Sequence, residues 1–433
     1  MTSSPVAFLI TRGDAFRVVA PLIKDYVQRS SVPPVLFCYF GAASQYESKM
    51  NPFHDDCVVL FFKTSEEFTA LTKQVRPRVL LSNSILKFPD LDMNASVDLL
   101  HALRIRFYYL QYSIDPICSL PTQLTKQCLL GISKFFFFSE YWRNEFLKIV
   151  KKNFSLNRDE SELLAGRTSI AGPYFIDFSS IGERKRICRK YGLDSAHRYL
   201  FFDPPGYADH VPNFFYKYYF HPNWYSRFRA TSKDLRAYSA DTLYSFPRFI
   251  QKLKHNELRI SAYPQLLKEI RQFAERHDFL IISKLRKKHV HPSYVQQAID
   301  LTFYDNSYHP SALHELLSIS DCYVGFNSTA SIEAAMFGCP VQLFQIFPEE
   351  FRYAPYGGDV YSFINQWLTQ APSPFNYPGV SEVCFWNQDS KLLLDQKEIS
   401  NLDESVTKAF AKNYLGLPSD ILLESALTET END

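Results

Sequence analysis

Residues 320–344 read SDCYVGFNSTASIEAAMFGCPVQLF: an apolar strand, a turn of small amide and hydroxyl residues, a short Ala-rich helix and a second strand. Asn327, Ser328 and Thr329 stand where the strand hands over to the helix. The first N–H groups of a helix lack intrahelical partners and carry the positive end of its dipole, so hydroxyl residues there form a cradle for a phosphate. The same residues also serve as a plain N-cap, with Ser328 or Thr329 satisfying the first turn and nothing bound. Both readings fit the local pattern. Glu333 follows one helical turn later, within reach of a ribose diol if a nucleotide lies across the helix start. Ala334, Ala335 and Gly338 are small enough for the helix to pack close to a sheet, and Pro340 opens the next strand.

Elements able to hold such a turn recur along the chain. Apolar runs such as VAFLITR, PPVLFCYF, CVVLFF, RPRVLLSNS, IRFYYLQYS and KFFFFS alternate with helical patterns such as AFRVVAPLIKDYVQ and SEEFTALTKQV. Continuous apolar strands separated by helices signal a parallel sheet covered on both faces. The alternation restarts after AGPYFIDFSS with HRYLFFDPPG, YPQLLKEIRQFAER, DFLIISKLR, DCYVGF and PVQLFQI. The expected fold class is therefore α/β, with two Rossmann-like domains facing a cleft. We place an N-terminal acceptor domain at 1–172, a C-terminal donor domain at 173–415, and an acidic, disordered tail at 416–433. A basic, aromatic insertion, 206–262, interrupts the second sheet; it reads either as a lid or as a satellite with its own small core.

A length of 433 residues suits two domains rather than one. The net charge of +1 argues against a chain whose task is to coat nucleic acid. The eight cysteines show no CxxC pair and no Cys/His cluster at zinc-ligand spacing, which points to reduced, buried thiols in a cytosolic protein. No run approaches the ~18–20 apolar residues needed to span a bilayer. The expectation is a cytoplasmic protein, with room for peripheral association at the inner face of the cell membrane.

The segment SDCYVGFNSTASIEAAMFGCPV resembles the donor-site segment of bacterial GT-B glycosyltransferases of surface and capsular polysaccharide biosynthesis, in particular capsular β-Kdo transferases and polysialyltransferases. In those families a Ser-Ser or Ser-Thr pair holds the donor phosphate and a helix with a Glu follows. The resemblance implies Asn327, Ser328 and Thr329 on the phosphate and Glu333 on the ribose. It also implies a Lys or His-Pro element at the end of an earlier strand. LIISKLRKKHVHPSY offers Lys284 and Arg286, which we favour, and His291; His309, before Pro310, is the rival histidine. Cations at a strand's carboxyl end facing a helix N-terminus would complete a diphosphate clamp; a solvated basic turn is the plainer alternative.

Transfer from a nucleotide donor needs a base for the acceptor hydroxyl and stabilisation of the departing phosphate. GT-B enzymes meet the second need with helix dipoles and cations, so the resemblance implies no metal and no cofactor beyond the nucleotide-sugar co-substrate. Asp14, in TRGDAF after the first strand, is the candidate base, with an N-cap role as its alternative; Asp115 is the second, with Gln111 and Tyr112 beside it as acceptor contacts. Asp203 is a third acid, on the donor half. The expected partners are a nucleotide-sugar donor and a glycan or lipid-linked acceptor, with no nucleic acid. Two alternatives remain open: a CDP-glycerol-type glycerophosphotransferase or polyol-phosphate transferase, and a non-catalytic glycan-binding or scaffold protein of the same fold.

Overall fold

Thirteen strands are described in the computed structural model, and every pairing between them is parallel. The described residues are 6–11, 15–39, 53–83, 90, 93–111, 124–204, 264–285, 293–304, 309–326, 328–345, 370–385, 403–416 and 421–431. In chain order the elements are β1 (Val6–Ile10), α1 (Ala15–Arg29), β2 (Val35–Tyr39), β3 (Val58–Phe62), α2 (Ser65–Val75), β4 (Val79–Ser82), α3 (Met93–Ala102), β5 (Arg106–Leu110), α4 (Lys126–Gly131), β6 (Lys134–Phe137), α5 (Glu140–Phe154), α6 (Arg158–Gly166) and β7 (Thr168–Ile170). There follow α7 (Arg184–Tyr191), β8 (Arg198–Asp203), α8 (264–276), β9 (Phe279–Lys284), α9 (Ser293–Gln297), β10 (Leu301–Phe303), α10 (Ala312–Ser318), β11 (Cys322–Gly325), α11 (Thr329–Met336), β12 (Val341–Gln345), β13 (Ser381–Phe385), α12 (Glu404–Tyr414) and α13 (Ile421–Glu431).

Two units emerge. The first comprises Met1–Ile181, Asn306–His314 and Lys408–Asp433; the second comprises Gly182–Asp305 and Glu315–Thr407. The sheet of the first has the order β3-β2-β1-β4-β5-β6-β7, and that of the second β10-β9-β8-β11-β12-β13. Both are doubly wound: the chain runs outward in one direction from β1 or β8, then returns to the other side at β4 or β11. Each sheet thus has one switch point, between β1 and β4 and between β8 and β11.

The strands form where the apolar runs predict them because both faces are covered. Every residue of β1 is buried, as is every residue of β4 and β11. In the first unit α1 packs Phe16, Val19, Ile23 and Tyr26 on the sheet, together with Leu422, Leu423 and Ala426 of α13. That helix occupies much of 416–433, where an acidic composition predicts a disordered tail. Leu422, Leu423 and Ala426 are at most 3% exposed, and burying them outweighs the acidic composition of the segment. The first unit also extends to Ile181 rather than ending at 172, and includes the returning segment Asn306–His314.

In the second unit Leu266, Ile270 and Phe273 of α8 join Leu200, Phe202, Ile281 and Val324 in one core. A clamp ties α7 to this sheet. The Arg184 guanidinium donates to the Ile319 carbonyl, to the His197 carbonyl at 2.6 Å and to Asp321 at 3.3 Å. Asp321 in turn accepts from the Tyr199 backbone N–H at 2.8 Å, fixing the start of β11 beside β8. Cys38, Cys57, Cys128, Cys188, Cys322 and Cys339 are free thiols, and burial pushes Cys322 up to about 12. Among the described residues no helix is long and apolar enough to cross a membrane. The insertion 206–262 lies outside the described residues.

Candidate functional site

Parallel sheets of this kind bind ligands outside the carboxyl ends of the strands that flank the switch point. In the second unit those strands are β8, which ends at Asp203, and β11, which ends at Gly325; the two residues face each other in register. Beyond Gly325 come Phe326 and, at the start of α11, Ser328. Asn327 itself is outside the described residues.

Ser328 is the N-cap of α11, with extended backbone (φ −139°, ψ 150°), and its Oγ accepts from the Ala330 N–H at 3.2 Å. Its carbonyl takes the Ser331 N–H at 3.0 Å and the Ser331 hydroxyl at 2.6 Å. Ser328 and Thr329 are half-buried, and the Thr329 hydroxyl makes no hydrogen bond among the described residues. The N-cap expected from the sequence is therefore present, and it leaves Thr329 available beside it. Glu333 is fully buried beneath this turn, close enough for its charge to act on the Tyr323 phenol.

The residue that composition alone did not single out is Tyr323. Its side chain is fully buried and its hydroxyl donates to Asp203 Oδ2 at 2.8 Å, joining β11 to β8 at the switch point. Burial, the charge of Asp203, the hydrogen bond to it and the charge of Glu333 push the phenol well above its usual range. Gly325 makes room for this arrangement: a Cβ there would lie 2.9 Å from the Tyr323 hydroxyl and 3.1 Å from the Asp203 Cβ. A Tyr two residues before a Gly that closes a strand was the available signal.

Lys284 ends β9, the strand next to β8, and is half-buried. The register Phe201↔Ile282 carried two residues on brings it level with Asp203, and so with Gly325. Two strand spacings, about 10 Å, separate its backbone from that of β11. Arg286 and His291 lie outside the described residues, as do Asp14 and Asp115.

His309 sits elsewhere. It belongs to the first unit, where Nε2 lies 2.8 Å from Asp177 Oδ2 and the ring meets Phe53 edge-on at 5.2 Å. Asp177 also receives Lys24 Nζ at 2.5 Å and the hydroxyls of Ser179 and Ser180. Burial raises the Asp177 carboxyl, but these hydrogen bonds and the charge of Lys24 outweigh it and hold the group far below the usual range. Burial lowers His309 in spite of Asp177. With the imidazole 6% exposed and engaged by Asp177, His309 is fastened within the first unit.

In the first unit the switch strands β1 and β4 end at Ile10 and Ser82. Ser82 and Asn83 are buried, and Ser82 donates to the Leu9 carbonyl at 3.3 Å. Gln111, expected as an acceptor contact, is fully buried and accepts from the Phe138 N–H at 3.0 Å, so it joins β5 to the end of β6 instead. A cavity of about 240 Å³ lies by Pro21, Leu22, Tyr174, Asp177 and Leu423. It is smaller than the roughly 300–1,000 Å³ of typical small-molecule sites.

No protein-family profile matches the chain, and no curated protein does. Solved structures do. A Listeria monocytogenes protein described as a UDP-N-acetylglucosamine 2-epimerase is 9% identical, with a TM-score of 0.52 over 99% of this chain and 97% of that one. The likeness fixes the fold. The chain has the GT-B class of architecture, two Rossmann-like domains, in agreement with the two doubly wound sheets. A second UDP-N-acetylglucosamine 2-epimerase is 10% identical with a TM-score of 0.51 over 99% and 96% of the two chains. The wall teichoic acid polymerase TagF is 10% identical with a TM-score of 0.51 over 99% and 88%.

Proposed function

We propose that this chain is a glycosyltransferase that moves a sugar from a nucleotide-activated donor to a surface-glycan or lipid-linked acceptor. The observation that carries the reading is the strand-turn-helix unit β11–Ser328–α11 at the carboxyl edge of the second sheet, at its switch point. As the donor bond breaks, negative charge develops on the departing phosphate. The N–H groups and dipole of α11 meet that charge without reorganisation. Lys284, level with the cradle, supplies a cation from β9, and Glu333 is assigned to the ribose. Asp14 and Asp115 remain the candidates for taking the acceptor proton.

A second reading, polyol-phosphate transfer from a CDP-activated donor, draws support from the likeness to TagF, which polymerises wall teichoic acid. It uses the same cradle and differs in the group transferred. Replacing Ser328 and Thr329 together by Ala is expected to abolish donor turnover while far-UV and near-UV spectra stay as in the parent; parental turnover in that variant contradicts both readings. Release of CDP with a polyol-phosphate donor, and none with nucleotide-sugars, selects the second.

A further inference from the structure

We infer that the first turn of α5, with Gln111 beside it, is a binding site for an oxyanion, a phosphate or a carboxylate group. The site lies wholly within the first unit, where the chain leaves the carboxyl ends of β5 and β6, and it goes beyond the donor reading without resting on it.

Ser139 is the N-cap of α5, a helix of 15 residues whose first N–H groups carry the positive end of its dipole. Its backbone is extended (φ −147°, ψ 170°) and its carbonyl accepts the Arg143 N–H at 3.2 Å, so the helix starts here. A serine in this place ordinarily accepts from the first turn. Ser139 does not: its Oγ is buried, the residue is 2% exposed, and the hydroxyl has no hydrogen-bond partner among the described residues. Gln111 reaches the same end of the helix. Its Oε1 accepts from the N–H of Phe138, the residue before Ser139, at 3.0 Å, which fixes the carboxamide with its oxygen toward Phe138 and its nitrogen turned away. That Nε2 is fully buried and has no acceptor among the described residues. Arg143 adds a third group. Helical side chains lean toward the N-terminus, and its guanidinium pairs through Nη2 with Glu140 in the first turn, while its buried Nε has no acceptor among the described residues. The Glu140 side chain, 58% exposed, keeps its charge on Arg143 and in solvent. Gln111 Nε2 and Arg143 Nε can only donate, and Ser139 Oγ can donate too. Buried donors cost free energy unless something accepts from them. Donors of one polarity around a positive helix end match a group that only accepts, which is an oxyanion.

Calorimetric titration of the purified full chain with inorganic phosphate and with glucuronate tests this. The chain carries Ser328→Ala/Thr329→Ala throughout, so that phosphate held at the donor cradle does not contribute. Saturable binding of at least one probe is expected. Ser139→Ala is expected to weaken it by about tenfold, the worth of one hydrogen bond to a charged group, at an unchanged anion-free thermal midpoint because no cap bond is lost. Gln111→Glu keeps an acceptor for the Phe138 N–H and turns the other end into a negative oxygen, so it is expected to abolish binding. Should Gln111→Glu fail to fold, Ser139→Ala decides alone. Phosphate bound in preference to glucuronate assigns the site to a phosphate group, and the reverse assigns it to a carboxylate. No saturable binding of either probe at about 10 mM overturns the inference. So does binding that the variants leave unchanged, and so does an anion-free midpoint lowered by Ser139→Ala. None of these results touches the donor reading, which stands or falls on nucleotide binding with Ser328 and Thr329 in place.

Discussion

The Tyr323 hydroxyl donates to Asp203 Oδ2 at 2.8 Å, so a hydrogen bond crosses from β11 to β8 at the one place where the second sheet reverses its winding. Gly325, in register with Asp203, leaves the space that bond occupies. The Gly325→Ala variant puts a Cβ 2.9 Å from the phenol oxygen, closer than such contacts occur, and 3.1 Å from the Asp203 Cβ, tighter than nearly all of them. Because the second neighbour adjoins backbone, the strand pair has to shift. Overpacking of this kind costs roughly 1–3 kcal/mol. Urea denaturation of the variant is expected to show that loss, together with weaker nucleotide binding.

Lys24, Asp177 and His309 make the first unit sensitive to acid. Asp177 has a lowered folded-state pKa, so the stability it contributes is present above its unfolded value near 3.9 and is lost as pH falls toward the folded value. His309 is also lowered, so the neutral imidazole is what the fold accepts, and stability begins to fall below about pH 6.5 as the unfolded chain binds the proton. Both groups act in the same direction. Midpoints measured from pH 8 to 2 are expected to fall, and Asp177→Asn is expected to flatten the part of that curve below about pH 4. It should also cost roughly 1–3 kcal/mol at pH 7, through Lys24 and two serines left without their acceptor.

The C-terminal helix is part of the first core. Leu423 is 3% exposed within it, and Leu423→Ala removes apolar volume from the contact with α1. A loss of about 2–4 kcal/mol in denaturant unfolding is expected. An unchanged midpoint after deleting 421–433 contradicts the packing described.

Arg184 holds α7 to the second sheet through two backbone carbonyls and Asp321. Arg184→Ala leaves those acceptors to water or to nothing. A loss of about 1–3 kcal/mol is expected by calorimetry, with Arg184→Lys recovering only part, since an ammonium cannot span all three acceptors as a planar fork does.

The long apolar strands were legible in the sequence because burial on both faces removes polar alternation: VAFLI, VLFCY and RYLFFD all appear as expected. The three-residue strands β7 and β10 were not, since TSI and LTF hold too few residues to show any period. At the candidate site the cap at Ser328 could be read from residue type and position alone. The pairing of Tyr323 with Asp203 could not: 120 residues separate them, and only the parallel register of β8 and β11 brings them together. The contact of His309 with Asp177 was equally hidden, since 132 residues separate the two in the first unit.

The central claim is that the turn at Ser328 and Thr329 holds a nucleotide donor by its phosphate, and thermal midpoints of the parent chain with CMP, CDP, UDP, GDP and ADP test it most directly. A ligand at 100 times its dissociation constant stabilises by about 2.7 kcal/mol, which a melting curve resolves readily. The account predicts a raised midpoint with one of these nucleotides and no shift in the Ser328→Ala/Thr329→Ala variant. A parent that responds to none of them, or a double variant that responds as the parent does, contradicts it.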